Sequence, residues 1–151
     1  MDDIHTHYRV SKHEVAMEVA RSYAKRTTCA RRGVGCVITN ETGHVLSIGY
    51  NGSPAGTPHC SGGHPCLGGV EASSGQSLEL CRAIHAEQNA IARLADWESA
   101  HAIYCTTSPC NSCIKLIAAT NIRLIYVDKP YPGNSEEFWL AINPDNRWIQ
   151  M

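Results

Sequence analysis

The sequence predicts a single α/β domain built on a mixed five-stranded sheet. Two observations predict it. Apolar patterns follow the order α-β-β-α-β-α-β along the chain, and 151 residues with 43% hydrophobic and 18% charged side chains suffice for one ordinary core. An opening hairpin makes the first strand pair antiparallel, whereas two later β-α-β units add parallel strands through right-handed crossovers. We expect one domain over residues 1–151, with its core at about 11–131.

Local patterns place each element in turn. Ser11 to Glu14 form a capping box, and the apolar stripe after it predicts a helix that ends near Thr27. The hairpin strands lie at residues 34–39 and 44–50, with a turn at 40–43. The later elements are a helix at 82–95, a strand at 102–106, a helix at 109–120, a strand at 122–128 and a short helix at 135–142. The tail from Asn143 has no interpretable pattern.

The net charge and the short basic and apolar runs indicate which kinds of partner this chain can bind. The net charge is −1, and no basic run exceeds Lys25-Arg26 or Arg31-Arg32, whereas polynucleotide binders carry a basic stripe. We therefore expect a small-molecule substrate and no polynucleotide partner. No apolar run approaches the roughly 18–20 residues of a membrane span, and the first residues lack the apolar segment of a signal peptide. These features predict a cytoplasmic protein with no membrane partner, in which the eight cysteines are reduced.

Two short segments have the composition of a catalytic metal site. Residues 85–87 are His-Ala-Glu, and residues 108–113 are Ser-Pro-Cys-Asn-Ser-Cys. One imidazole and two thiolates are the ligands of a catalytic zinc that keeps its fourth position for water. We expect Ser108 to cap a helix with Pro109 in its first turn, so that Cys110 and Cys113 share one face near the helix N-terminus, where thiolates are favoured.

Glu87 is the candidate catalytic residue. It can share the metal centre with His85 only if His85 lies at the mouth of its helix, because residues two apart point in different directions within a helix. There Glu87 can take the proton of a zinc-bound water and return it during the reaction, without ligating the metal. The alternative is a structural Cys/His zinc with Glu87 as a solvated helix residue, which would need a fourth ligand nearby.

A second group of cysteines surrounds residues 51–80, which are rich in Gly, Ser and Pro. A loop of this length is uncommon in a compact domain unless it is functional or tied down. A second, structural zinc would tie it down and contribute folding energy. Its ligands would be Cys29, Cys60, Cys66 and Cys81, with His59 or His64 as alternative ligands. The other interpretation is free thiols on a mobile loop.

The remaining cysteines and histidines have no ligand spacing. Cys36 and Cys105 lie inside apolar strands and are expected to be inert core residues. The expected surface histidines are His5, His7, His13, His44 and His101.

The His-Ala-Glu and Pro-Cys-x-x-Cys segments resemble the signature of zinc-dependent nucleobase deaminases. Over roughly residues 11–131 the chain resembles the deoxycytidylate (dCMP) deaminases, especially bacterial and phage forms. The segments that carry this resemblance are Thr28-Cys29-Ala30-Arg31, Val34-Gly35, Gly49 to Gly56, His59-Cys60, Cys81-Arg82, His85 to Ile91 and Pro109-Cys110. Cys66 and Cys81 stand where phage forms often have a pair of histidines, as in bacterial forms.

The resemblance implies a fold, an activity and cofactors. The fold would be the three-layer α/β/α cytidine deaminase-like fold. The activity would be hydrolytic deamination of dCMP to dUMP and ammonia through a zinc-activated hydroxide, supplying the thymidylate precursor. Whether dCTP is also a substrate stays open. Two zinc ions per chain would be bound.

The resemblance also implies substrate-binding residues. Asn51 would hold the sugar and base, Tyr131 would flank the nucleotide, and Arg26 and Ser108 would contact the phosphate. Each has an alternative interpretation: Asn51 as part of a turn, Tyr131 as loop packing, and Arg26 as a charge favoured at a helix C-terminus.

Regulation is implied by the same resemblance. Members of this family are typically homohexamers that dCTP activates and dTTP inhibits, each bound with Mg²⁺ at a subunit boundary. Backbone N–H groups at Gly52, Ser53 and Gly56 could bind the triphosphate as a nest. The alternative is that the glycines only turn the chain.

Two other functions stay open from the sequence. The same chemistry could act on free cytidine, guanine or adenosine in tRNA, although the near-neutral charge and the segment at Gly49–Gly52 count against tRNA. A non-catalytic, zinc-scaffolded interaction module is the second, and Glu87 argues against it because a scaffold has no use for that carboxylate.

Overall fold

The computed structural model describes residues 9–66 and 80–151. Helix α1 (Lys12–Ala24) precedes strands β1 (Gly35–Thr39) and β2 (Val45–Tyr50), and a 3₁₀ turn covers Cys60–Gly62. The later elements are α2 (Ala86–Ala92), β3 (Ala102–Thr107), α3 (Asn111–Ala118), β4 (Leu124–Lys129), α4 (Ser135–Ile142) and β5 (Arg147–Gln150). None of these helices is long and apolar enough to cross a membrane.

The strands form a mixed sheet in the order β2-β1-β3-β4-β5. Strand β1 pairs antiparallel with β2 and β3, and β4 pairs parallel with β3 and β5. The predicted five-stranded sheet with an opening antiparallel hairpin is therefore confirmed, although the sequence patterns located only four of its strands. Strand β5 comes from the tail that showed no pattern, because four residues are too few for an alternation to be evident.

Helices cover both faces of the sheet. Alternate residues of a strand point to opposite faces, and the buried side chains divide accordingly into two clusters. One cluster lies under α1 and includes Ala16, Met17, Ala20, Val37, Tyr104 and Tyr126. The other lies under α2, α3 and α4 and includes Cys36, Ile38, Ala86, Ala90, Ile103, Cys105, Ile114, Ile117, Ile125, Val127 and Trp139. The predicted three-layer arrangement is confirmed.

Two strand glycines allow the helices to approach the sheet closely. A Cβ on Gly35 would lie 1.8 Å from the carbonyl oxygen of Ala20 in α1. A Cβ on Gly49 would lie 2.2 Å from the carbonyl oxygen of Ala86 in α2. Only glycine fits at these two contacts, and the second brings the first turn of α2 directly onto β2.

Helix α2 is shorter than the predicted helix at 82–95. Ile84 and Gly52 exchange two backbone hydrogen bonds, of 3.1 and 2.8 Å, so the chain before His85 is extended. The helix then begins at Ala86, with His85 as its N-cap, and the backbone N–H of His85 donates to Oε1 of Gln88 at 2.8 Å.

The predicted cap of the next helix is wrong. Cys110, not Ser108, is the N-cap of α3. The N–H of Ser108 donates to the carbonyl of Lys129 at 3.1 Å, and its Oγ accepts from the N–H of Tyr131 at 3.0 Å. Because Ser108 is held beside the residues after β4, the helix starts two residues later than predicted. By contrast, Ser11 caps α1 as predicted, its Oγ accepting from the N–H of Glu14 at 3.1 Å.

The prediction for the core cysteines is confirmed, and that for one histidine is wrong. Cys36 and Cys105 are fully buried and face each other across β1 and β3, with their Sγ atoms 4.0 Å apart. His13 is not an unpartnered surface residue. Its Nδ1 lies 2.7 Å from the hydroxyl of Tyr104, and its ring stacks on Tyr126 with centroids 4.7 Å apart. His5 and His7 lie outside the described residues.

Candidate active site

Three predicted metal ligands meet at the N-termini of two helices. His85 is the N-cap of α2, Cys110 is the N-cap of α3, and Cys113 lies in the first turn of α3. Nδ1 of His85 is 3.5 Å from Sγ of Cys110 and 3.3 Å from Sγ of Cys113. The three ligand atoms all lie within 4.8 Å of one another. One nitrogen and two sulfur donors fit zinc with its fourth tetrahedral position open.

The two thiols of this cluster differ in protonation. The hydrogen bond from Cys113, and after it that of His85, lower the pKa of Cys110 to about 3, although burial opposes them. The same bond, together with burial, raises the pKa of Cys113. The hydrogen bond to Cys110 also raises the pKa of His85. At neutral pH Cys110 is therefore a thiolate and Cys113 holds the proton that the pair shares, which metal binding would release.

The carboxylate of Glu87 borders the cluster. Glu87 lies in the first turn of α2 and is 4% exposed. Its Oε2 accepts a hydrogen bond from Sγ of Cys113 at 3.4 Å. Burial raises the pKa of Glu87 above the usual value of a carboxyl group, which brings it closer to the range where a group can both take and give a proton at neutral pH.

The start of α2 is tied to the end of β2. The bridge between Ile84 and Gly52 holds the backbone immediately before His85. One turn later, Nδ2 of Asn89 donates to the carbonyl of Tyr50 at 2.8 Å. These contacts set the direction in which the His85 imidazole enters the site.

A cavity of about 580 Å³ adjoins the metal ligands. It brings together Glu87, two predicted ligands of the catalytic zinc, two predicted ligands of the second zinc and three predicted substrate-binding residues. Its lining residues are Cys29, Arg31, Arg32, Val34, Asn51, Cys81, His85, Ala86, Glu87, Thr107, Ser108, Cys110, Tyr131 and Pro132. Arg31 and Arg32 were not predicted as site residues, although two adjacent arginines just before a predicted strand could have indicated a binding site for an anion.

The side chain of Asn51 is fixed in orientation. It is 9% exposed, and its Oδ1 accepts hydrogen bonds from the N–H of Val34 and the Oγ1 of Thr27, both at 2.8 Å. Its Nδ2 donates to the carbonyl of Arg32 at 2.7 Å. Because a backbone N–H can only donate and a carbonyl can only accept, the amide has one orientation. Its remaining capacity toward a ligand is one Nδ2–H donor.

The other three predicted substrate-binding residues divide between the cavity and the surface. Tyr131 and Ser108 line the cavity, and the bond between the Tyr131 N–H and the Ser108 Oγ joins them. Arg26 does not line this cavity. It follows the end of α1, where its N–H donates to the carbonyl of Tyr23 at 2.9 Å, and it is exposed. Its alternative interpretation, as a charge at a helix C-terminus, agrees with this position.

The second cysteine group is only partly assembled. Sγ of Cys60 lies 3.8 Å from Sγ of Cys66 and also accepts a hydrogen bond from the N–H of Cys66 at 3.4 Å. Burial raises the pKa of Cys81, and the neighbouring side chains of Cys66 and Cys29 also raise it. Within residues 9–66 and 80–151, however, only the cluster at His85 brings three ligand atoms within 4.8 Å of one another.

The predicted triphosphate nest has two of its N–H groups already in use. The N–H of Gly52 donates to Ile84 at 3.1 Å, and that of Ser53 donates to Oγ1 of Thr28 at 2.8 Å. Gly56 has a φ of +82° with open space around its Cα. These three residues therefore do not present the joint N–H concavity that the sequence suggested.

The fold and the metal ligands together define the class of zinc-dependent deaminases of the cytidine deaminase type. The family described as "Cytidine and deoxycytidylate deaminase zinc-binding region" matches residues 10–129, and the chain belongs to this family.

Two relatives share the name deoxycytidylate deaminase. The protein of Mycobacterium phage D29 is 37% identical over 121 residues, which cover 75% of this chain and 91% of the phage protein. The protein of Schizosaccharomyces pombe is 34% identical over 131 residues, which cover 85% of this chain and 40% of the yeast protein. The chain thus matches about two fifths of the length of the yeast relatives.

A solved structure has the same fold. The crystal structure of dCMP deaminase from the cyanophage S-TIM5, in complex with dCMP and dUMP, matches with a TM-score of 0.74 at 24% identity. The match covers 96% of this chain and 100% of that chain.

Proposed function

We propose that the protein is a zinc-dependent deaminase that hydrolyses dCMP to dUMP and ammonia. The observation that carries the proposal is the buried carboxylate of Glu87 beside three converging zinc ligands, at a cavity that also contains a fixed amide donor and two arginines. A structural zinc site would not need that carboxylate. The phage and yeast relatives are deoxycytidylate deaminases by name, which supports dCMP as the substrate.

Each residue of the site would have a separate role in the reaction. Zinc held by His85, Cys110 and Cys113 would make water a nucleophile near neutral pH. Glu87 would accept one proton from that water and pass it to the ring nitrogen of cytosine. It would then take the second proton from the hydroxyl group added to C4 and deliver it to the amino group, which leaves as ammonia while the C4 carbonyl forms. The raised pKa of Glu87 suits this double role, because an acid-base group works best when its pKa is near the working pH.

Asn51 would position the base. Its one available Nδ2–H can bind only an acceptor, such as the O2 carbonyl of cytosine or an oxygen of the sugar. Deamination changes the exocyclic amine and leaves both of these acceptors intact, so Asn51 would hold substrate and product alike. Its role is therefore orientation and not discrimination between the two.

The direct test is to incubate the zinc-loaded protein with dCMP and to follow the loss of cytosine absorbance. Deoxycytidine, dCTP, cytidine, guanine and a tRNA substrate are compared at equal concentration, with Glu87→Gln as the matched control. We expect turnover of dCMP, with kcat about 10²–10⁴-fold lower in Glu87→Gln. Turnover of another substrate in place of dCMP would change the substrate assignment, and no turnover of any of them would favour a non-catalytic zinc module.

We propose in addition a second zinc ion, held by Cys29, Cys60, Cys66 and Cys81. The short distance between the Cys60 and Cys66 sulfurs supports it, as does the proximity of Cys81 to Cys66 and Cys29. A Cys₄ set is a closed structural site and supplies folding energy to the segments it joins. This zinc would tie residues 60–66 to the segment before β1 and to the chain leading into α2.

Regulation is the last part of the proposal: a homohexamer activated by dCTP and inhibited by dTTP, each with Mg²⁺. The support is the resemblance to dCMP deaminases, and the N–H groups of Gly52 and Ser53 do not add to it because they are bonded within the chain. The test is the rate against dCMP concentration with and without each triphosphate, together with the mass of the assembly in solution. Hyperbolic kinetics unchanged by either nucleotide, from a monomer or dimer, would contradict it.

A further inference from the structure

The hydroxyl of Thr27 has both of its nearest acceptors on Asn51. Thr27 follows α1, is half-buried and lies outside the residues that line the cavity. Its Oγ1 is 2.8 Å from Oδ1 of Asn51 and 2.9 Å from the backbone carbonyl oxygen of the same residue, whereas the carbonyl oxygen of Arg32 is 3.3 Å away. Because a threonine hydroxyl has a single hydrogen, it binds Asn51 through one of these two oxygens, and the side-chain oxygen is the nearer.

The other two hydrogen bonds of the Asn51 amide lead to one short segment. Its Oδ1 accepts from the N–H of Val34 at 2.8 Å, and its Nδ2 donates to the carbonyl of Arg32 at 2.7 Å. Both partners lie in the residues just before β1. The torsion angle that turns an asparagine amide is broadly distributed, so bonds to this segment alone would let the amide move with it. The Thr27 hydroxyl adds a bond from a second segment, the residues after α1.

The chain around Thr27 is itself held in place. Its Oγ1 accepts a hydrogen bond from the N–H of Cys29 at 3.1 Å. At the next residue, the N–H of Thr28 donates to the carbonyl of Asn51 at 3.3 Å, and the Thr28 Oγ1 accepts from the N–H of Ser53 at 2.8 Å. The Thr28 side chain thus bonds the backbone after β2, whereas the Thr27 side chain bonds the amide that borders the cavity.

We propose that Thr27 is a positioning residue of the substrate site, whose hydroxyl holds the amide of Asn51 so that its remaining Nδ2–H points at the bound nucleoside. Thr27 contacts no substrate and acts through Asn51. The inference rests on the proposed function, because it assumes that a deoxycytidine nucleotide or its product occupies the cavity. An amide whose oxygen accepts hydrogen bonds is polarised and becomes a better donor, and a donor fixed in advance lowers the ordering cost of binding.

The test measures binding of the product, so that it does not depend on turnover. Titration calorimetry compares dUMP and deoxyuridine on the zinc-loaded protein. Thr27→Val has nearly the same shape without the hydroxyl, and we expect it to weaken both ligands alike by about 3- to 10-fold, the size of one hydrogen bond. Thr27→Ser keeps the hydroxyl and should bind both ligands within about twofold of the wild type. The zinc content should be the same in all three proteins.

Thr28→Val is the matched control, because it removes the hydroxyl of the next residue, which bonds the N–H of Ser53 and not the amide of Asn51. It should lower the melting temperature and change the Kd of either ligand by less than about twofold. The double variant Thr27→Val/Asn51→Ala tests the route of the effect. Once the amide is absent, Thr27→Val should weaken binding no further, since the effects of residues in contact are not additive.

Several outcomes overturn the inference: a Thr27→Val protein that binds both ligands as the wild type does, equal weakening by Thr28→Val, additive effects in the double variant, or a wild type that binds neither ligand. Loss of zinc in Thr27→Val also overturns it, because the hydroxyl would then act through Cys29. If Asn51→Ala does not fold, the variants of the two threonines decide.

The outcome for Thr27 is distinguishable from that for the proposed activity. If Thr27→Val weakens product binding but the wild type does not deaminate dCMP, the activity fails and the positioning role stands. If dCMP is deaminated and Thr27→Val binds the product as the wild type does, the positioning role alone fails.

Discussion

The carboxylate of Glu87 lies 3.4 Å from the sulfur of Cys113 and accepts a hydrogen bond from it. The two residues belong to different helices, α2 and α3, and each helix also provides the metal ligand at its N-cap. The proposed acid-base group and the three proposed zinc ligands therefore lie at the same two helix N-termini. A change at Glu87 can remove the proton transfer while all three ligands remain in place.

Replacing Glu87 by glutamine should lower the rate of the reaction without changing how the protein binds zinc. Glutamine has the same shape but cannot take a proton, and general acid-base groups typically contribute about 10²–10⁴-fold to rate. We expect kcat for dCMP to fall by that factor while the zinc content at the His85 site is unchanged. The absorbance assay and metal analysis measure the two quantities.

Cys110→Ala is the matched comparison for Glu87→Gln, because it removes a ligand and should lose the zinc together with the activity. A Glu87→Gln protein that keeps near wild-type kcat would show that Glu87 is not the proton carrier. Loss of zinc in Glu87→Gln would assign Glu87 to the metal instead.

The contact between β2 and α2 gives a second prediction. Because a Cβ on Gly49 would lie 2.2 Å from the carbonyl of Ala86 and 2.6 Å from the N–H nitrogen of Ala90, Gly49→Ala must push α2 away from the sheet. Overpacking typically costs about 1–3 kcal/mol, and the displacement also moves His85 and Glu87. We expect a lower free energy of unfolding in urea together with a lower kcat.

Gly62→Ala serves as the control for that substitution, since its Cβ would be 3.4 Å from its nearest neighbour, the Cβ of His59. It should change stability by less than about 0.5 kcal/mol, as surface substitutions usually do. Equal effects of Gly49→Ala and Gly62→Ala would contradict the close approach of α2.

The convergence of His85, Cys110 and Cys113 could be predicted from the sequence because a catalytic zinc site depends on short, fixed spacings. Cys110 and Cys113 lie three apart, and the requirement that His85 sit at a helix mouth followed from its distance to Glu87. The stacking of Arg32 on Tyr131 could not be predicted in this way, because the two residues become neighbours only when β1 and β4 join the same sheet. The predicted start of the helix at 82 was wrong for the same reason: the bridge between Ile84 and Gly52, which keeps the chain extended before Ala86, is a long-range contact.

His13 packs against Tyr104 and Tyr126 of the sheet, and this position predicts that the free energy of unfolding depends on pH. Burial, followed by the charge of Lys12, lowers the pKa of His13 below 6.5 in the folded protein. The unfolded chain therefore binds more protons between the folded and the unfolded pKa, so stability rises as pH increases through this window and falls as pH decreases through it.

His13→Gln should remove this contribution. The measurement is the difference in unfolding free energy between the zinc-loaded wild type and His13→Gln, at several values between about pH 5 and pH 8. We expect the wild type to lose stability relative to the variant below about pH 6.5. A difference that is constant across this range would show that His13 titrates alike in the folded and unfolded states.

The second zinc site predicts that Cys60→Ser affects stability more than chemistry. Cys60 is 5% exposed, and its sulfur lies 3.8 Å from that of Cys66. A serine hydroxyl is a poor substitute for a zinc thiolate, and structural zinc supplies folding energy directly. We therefore expect the zinc content to fall from two ions per chain to one and the melting temperature to drop clearly, whereas kcat for dCMP should change little.

Cys36→Ala, at a fully buried cysteine outside both sites, is the control and should keep both ions although it leaves a small cavity. One zinc per chain in freshly prepared, chelator-free wild-type protein would contradict the second site, because Cys29, Cys60, Cys66 and Cys81 would then be thiols without a metal.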